Sequence, residues 1–256
     1  MRVPGFAQEY ARVQFVAIPG FVAFFFVALW VGVRLLAQWG RTRELPELLL
    51  GLGVLGIGPV GFGFLLLAAV AGADEPRAPS FLAGISAVAV AAGASSKAIF
   101  NWKIYHPTSR GAAALAFAAI ALLGLAVLLE GVTTGYAPDS WMKPGWILLR
   151  EAVQVAVLLW GAAEALLWWR RMRRRVRVGL GDPLVASRFL LWGVGAGMAG
   201  IGSLLGGVIA LVQGRGMNEL PELTVMLSMF GMTSAISLWL AFATPEWFKR
   251  RVQADA

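Results

Sequence analysis

Seven apolar stretches, separated by short polar segments, organise this chain. They cover residues 13–37, 46–71, 80–100, 111–129, 146–169, 189–212 and 221–243. Each is close to or above the about 20 residues that an α-helix needs to cross a bilayer. No stretch alternates strictly between apolar and polar positions, as a half-buried strand would. The pattern predicts an all-α integral membrane protein, a bundle of seven transmembrane helices that uses residues 1–256 as one domain. The first stretch is too long for a signal-peptide core and lacks a small-residue cleavage site after it, so it reads as an uncleaved span.

The basic residues orient the bundle. Of the 22 Lys and Arg, sixteen fall on one side: Arg34, Arg41, Arg43, Lys97, Lys103, Arg110, Arg170, Arg171, Arg173, Arg174, Arg175, Arg177, Arg188, Lys249, Arg250 and Arg251. Only Arg2, Arg12, Arg77, Lys143, Arg150 and Arg215 fall on the other. By the positive-inside rule the richer side is cytoplasmic. The N-terminus is therefore expected outside and the C-terminus in the cytoplasm, in a bacterial inner membrane. The net charge of +8 then reflects orientation and anionic lipid, not nucleic acid.

Small residues mark where helices approach. The third span is rich in Ala, Gly and Ser, as expected of a helix inside a bundle. In the sixth, Gly193 and Gly197 form one G-x-x-x-G pair and Gly202 and Gly206 another. The expectation is close packing within the chain, with a homodimer through these four glycines as the alternative. Pro59 predicts a kink in the second span, because proline removes a helix hydrogen bond. Glu-Leu-Pro-Glu-Leu opens the second span at 44–48 and the seventh at 219–223. Capping chemistry explains it, since proline suits a first helical turn and glutamate faces the positive dipole end there. An inverted repeat is the alternative.

Ionisable groups at membrane depth are the default candidates for function. Glu164, Lys97 and Arg34 lie toward the cytoplasmic ends of their spans, and an ion-pair lock of Glu164 with Lys97 or Arg34 is expected. Toward the outside, Glu151 and Gln154 stand one turn apart in the fifth span, with Arg150 beside them and Glu130 closing the fourth. Hydroxyls recur at helical spacing in the seventh span (Thr224, Ser228, Ser234) and in the third (Ser86, Ser95, Ser96). The candidate ligand-binding set is Glu151, Gln154, Ser95, Thr224 and Ser228. At the cytoplasmic surface Trp168 and Trp169 precede Arg170, Arg171, Arg173, Arg174, Arg175 and Arg177, a pairing suited to anionic lipid headgroups.

Much chemistry is excluded. There is no cysteine and one histidine, His106, so neither a thiolate nor a zinc site is supported. No catalytic triad, carboxylate pair or phosphate-cradling loop is recognisable. No enzyme activity and no cofactor are expected.

Two segments carry a resemblance. Residues 41–53 (RTRELPELLLGLG) and 238–248 (LWLAFATPEWF) resemble segments of uncharacterised bacterial seven-helix membrane proteins. That likeness implies membrane location and helix count, and no activity. The layout also resembles that of rhodopsins, in architecture alone. A retinal Schiff base needs a lysine in the last span, and residues 221–243 contain none. The expected function is a receptor-like sensor of a small apolar or lipidic ligand, without covalent retinal. A solute or lipid transporter and a structural subunit packing through the sixth helix are the alternatives.

Overall fold

A computed structural model describes residues 6–71, 77–137, 145–213 and 221–254. Arg2, Lys143, Arg215 and Glu219 lie outside these residues, as do the side chains of Arg12 and Arg77. The helices are α1 (Phe6–Thr42), α2 (Leu45–Leu55, continued through Gly56–Phe62 and Gly63–Ala71), α3 (Arg77–Phe100, continued through Asn101–Tyr105) and α4 (Arg110–Thr134). They continue with α5 (Trp146–Arg177), α6 (Pro183–Gln213), α7 (Pro221–Ala243) and α8 (Glu246–Ala254). Seven of them are long and apolar enough to cross a membrane, as the hydrophobic pattern requires. The chain is a membrane protein, helical and without strands among the described residues.

Local chemistry sets the helix ends. Pro46 occupies the first turn of α2 with Glu47 beside it, which is the capping use of the Glu-Leu-Pro-Glu-Leu motif. Ser109 Oγ accepts from the Ala112 amide to start α4. Gly135, at a left-handed φ of 59°, ends it. Pro59 does not simply kink α2. The helix widens into π-helical turns over Gly56–Phe62, which absorb the missing donor and the ring's clash with the preceding turn. A second π-helical stretch, Asn101–Tyr105, finishes α3.

Consecutive helices pack side by side, and α7 returns against α1, which closes the ring. Helix α3 also reaches α5 across the interior. One end gathers the close of α1, α3, α5 and α7 with the start of α6: Arg34 donates to the Phe242 carbonyl, and Arg188 to Thr244. This is the arginine-rich end. Six rings, Phe100, Tyr105, Trp168, Phe189, Trp192 and Phe242, form a connected cluster there. Helix α5, at 32 residues, is about 48 Å long and exceeds an about 30 Å hydrocarbon core, so the arginines of its C-terminal turns stand beyond the span. Helix α8, which the hydrophobic pattern does not predict, has an apolar side carrying Trp247 and no buried residue.

The glycines of α6 are used within the chain. Gly193 faces Leu166 and Ala162 of α5, Gly197 faces Ala162, and Gly202 faces Phe230 of α7, while Gly206 is buried. Close packing within the chain, the expectation for this face, accounts for Gly193, Gly197 and Gly202, which meet α5 and α7. The tightest seam joins α2 to α3. A Cβ on Gly56 would lie 2.6 Å from the Ala89 carbonyl oxygen and 2.8 Å from Gly93 Cα. One on Gly93 would lie 2.8 Å from the Ile57 amide nitrogen. Both obstacles are backbone, which cannot move aside as a flexible side chain can. Gly93→Ala is expected to cost about 1–3 kcal/mol through overpacking and to lower the melting point by about 2–10 °C. Gly124→Ala, where nothing lies within 4 Å, should leave it unchanged or raise it. Thermal melts of the two variants in one detergent test this, and equal melting points would refute it.

Candidate functional site

A partly open cavity of about 40 Å³ lies inside the bundle. Six of the seven spans line it, all but α4. Its walls are Phe24 and Ala28 of α1, Gly53, Val54, Ile57 and Gly58 of α2, Leu158 of α5, Trp192, Gly195, Ala196 and Ala199 of α6, and Ser234 and Leu238 of α7. Only one charged group enters it, Lys97 of α3.

The local sequence explains how a lysine fits. A Cβ on Gly53 would come 2.7 Å from Lys97 Cγ, so the glycine of α2 makes room for the lysine stem. The ammonium stands 5.9 Å from the Trp192 ring centroid, within the range of a cation–π contact. Among the described residues Lys97 has no ion pair and no hydrogen bond. Ser234 is committed elsewhere, donating to the Gly195 carbonyl at 2.9 Å. The two π-helical stretches flank this place. Ile57 and Gly58 belong to the first, and the second begins at Asn101, one turn beyond Lys97. Such turns recur at functional sites because the widened register re-aims side chains.

The expected lock does not form. Glu164 takes His106 as its partner, with His106 Nε2 2.6 Å from Glu164 Oε1. Arg34 goes to the Phe242 carbonyl and lies over Trp30. Lys97 turns into the cavity. The three groups share a depth but face different neighbours, because α3 is rotated so that Asn101, not Lys97, meets α5. Asn101 Nδ2 donates to the Val157 carbonyl at 3.1 Å, in space that Gly161 leaves open.

The expected ligand set also divides. None of Glu151, Gln154, Ser95, Thr224 and Ser228 lines the cavity. Ser228 sits against Gly20 in the α1–α7 seam, so that hydroxyl belongs to helix packing. Glu151 and Gln154 join a separate polar cluster at the end opposite the arginines. There Arg150 Nε lies 3.4 Å from Glu130 Oε2, and Arg150 Nη2 lies 3.7 Å from Glu151 Oε1. Glu130, Arg150 and Gln154 are 5%, 6% and 7% exposed. Sequence reasoning placed Arg150 toward the outside, beside Glu151 and Gln154. It missed that α4 continues to Thr134, which leaves Glu130 a full turn inside. The one available signal was the i, i+4 spacing of Arg150 and Gln154. Tyr136 closes this end by donating to the Val127 carbonyl at 2.9 Å. Burial, helped by the charge of Glu130 and opposed by Arg150, pushes its phenol above the ordinary range.

Around the arginine-rich end, Arg171 lies over Trp168 and Arg173 over Trp169, while Arg170, Arg174, Arg175 and Arg177 are exposed. No cluster of metal-ligating side chains occurs among the described residues. No family model, curated protein or solved structure matches this chain.

The buried Arg150–Glu130 pair makes a direct prediction. Arg150→Met leaves a carboxylate buried without its partner and should cost about 3–5 kcal/mol. Adding Glu130→Gln should recover much of that loss, because the stranded charge is gone. A double-mutant cycle on thermal stability checks it; additive effects would mean that the two groups do not interact.

Proposed function

We propose that this protein is a receptor-like membrane binder of a small, mainly apolar molecule that carries a carboxylate. The observation that carries the reading is Lys97, a cation without an ion pair among the described residues, facing a cavity with otherwise apolar walls. A charge inside a membrane bundle is costly unless something compensates it, and a ligand's carboxylate does so with a charge-assisted hydrogen bond. The cavity is far smaller than the about 300–1,000 Å³ of a pocket that holds a whole ligand. It takes the head group, and the apolar body occupies space that opens on binding. The π-helical turn beside Pro59 supplies a wall that can yield. Lys97 replaces Glu151, Gln154, Ser95, Thr224 and Ser228 as the centre of the ligand site.

The sixteen-to-six partition of basic residues supports a cytoplasmic arginine-rich end, in a bacterial inner membrane. There the Trp168 to Arg177 segment and α8 rest on anionic headgroups. Signalling would pass through this end, because the aromatic cluster beneath Lys97 connects the cavity wall at Trp192 to Trp168 on α5. A transporter of the same solutes is the second reading, favoured by the π-helical break in the cavity wall. Flux of a radiolabelled carboxylate into proteoliposomes would choose it.

Straight-chain carboxylates should raise the melting point by about 5–10 °C at a hundredfold excess over Kd, and matched alcohols should not. Lys97→Met should abolish the difference. Equal shifts for acids and alcohols, or a full shift in the variant, would overturn the site. For orientation, a reporter fused after Ala256 is expected to read cytoplasm, and a periplasmic signal would reverse the assignment.

A further inference from the structure

The cluster of Glu130, Arg150 and Gln154 lies apart from the Lys97 cavity and is not needed by the ligand reading. All three side chains are more than nine-tenths buried. Arg150 and Gln154 stand one turn apart on the same face of α5, and Glu130 meets Arg150 from the last turns of α4. The 3.4 Å approach of Arg150 Nε to Glu130 Oε2 is not a hydrogen bond. Among the described residues, three buried atoms consequently lack hydrogen-bond partners: Glu130 Oε2, Arg150 Nε and Gln154 Oε1. Buried polar atoms are nearly always satisfied, so three together mark a site that something else completes.

Charge and donor type say what completes it. The charged groups that act on the Glu130 carboxylate are Arg150 and Glu151, with the neutral Tyr136 phenol nearby. Among the described residues, two carboxylates stand against one guanidinium, which leaves one negative charge without a partner. Two of the three unpartnered atoms are oxygen acceptors, the ligands that hard cations prefer. We propose that this cluster binds one monovalent cation, a proton or Na⁺, between Glu130 Oε2 and Gln154 Oε1. A proton on Glu130 Oε2 donates to Gln154 Oε1; Na⁺ takes both oxygens as ligands. Either one neutralises the cluster and ties α4 to α5. With Na⁺ bound, Arg150 positions the Glu130 carboxylate through their ion pair; with the proton bound, Glu151 remains the anionic partner of Arg150.

Thermal melts of the detergent-purified protein test this in NaCl and in choline chloride at equal ionic strength, from about pH 5 to about pH 9. If the ion is Na⁺, sodium raises the melting point over choline at alkaline pH, saturably and by about 3–5 °C at ten times its Kd. If it is a proton, the two salts agree and stability rises as pH falls, because the folded state then holds the proton more tightly than the unfolded state. Glu130→Gln, neutral and nearly isosteric, is expected to lose whichever response the wild type shows. Gln154→Leu keeps the charge and removes one oxygen, so it should shift the half-point of the response to higher ion concentration. Coincident salt curves with no pH response, or responses that survive in both variants, would overturn the proposal. Lys97→Met should leave the response intact, which separates this site from the ligand cavity.

Discussion

The backbone contact between α2 and α3 is the constraint on which the interior depends. Gly56 and Gly93 let the two helices approach to a distance that no side chain would permit. That approach brings α3 inside the ring, where it reaches α5 as well as its neighbours. In a membrane, where lipid tails are as apolar as leucine, such close packing replaces the hydrophobic effect as the force between helices. The placement of Lys97 and Asn101 in the centre follows from the position of α3. Lys97 faces α2 and α6, and Asn101 one turn later meets α5.

The bundle then distributes its charges to opposite purposes. At the arginine-rich end, charge is dissolved in rings. Six stacked and tilted aromatics seal the interior, and arginines lie over the outermost tryptophans. At the other end charge is buried in the Glu130–Arg150 pair, with Gln154 one turn along α5. Between them stands one ammonium in an apolar cavity. A low dielectric raises the stakes of each arrangement, because an unpaired group there interacts more strongly with whatever reaches it.

The two π-helical stretches connect sequence to this layout. Pro59 forces the first by lacking an amide hydrogen, and its widened turns place Ile57 and Gly58 on the cavity wall. The second lies just past Lys97 and carries Asn101 and Tyr105, both buried. Between them they shape the wall of α2 and the floor of α3 without breaking either span.

The sequence by itself determined the seven spans and the membrane solvent, though not the terminal helix α8. A run of apolar residues about 20 long has one stable form in lipid, where every backbone group must be satisfied within the segment. The same local logic made the Glu-Leu-Pro-Glu-Leu motif readable as a helix start and the third span readable as an inner helix. Partnerships among distant side chains were not readable. Glu164, Lys97 and Arg34 share a depth, and depth alone suggested a lock. Their partners are His106, the Trp192 ring and the Phe242 carbonyl. The rotation of each helix about its own axis decides such pairings. That rotation is set by which glycines meet which neighbours, a property of the assembled bundle and of no single span.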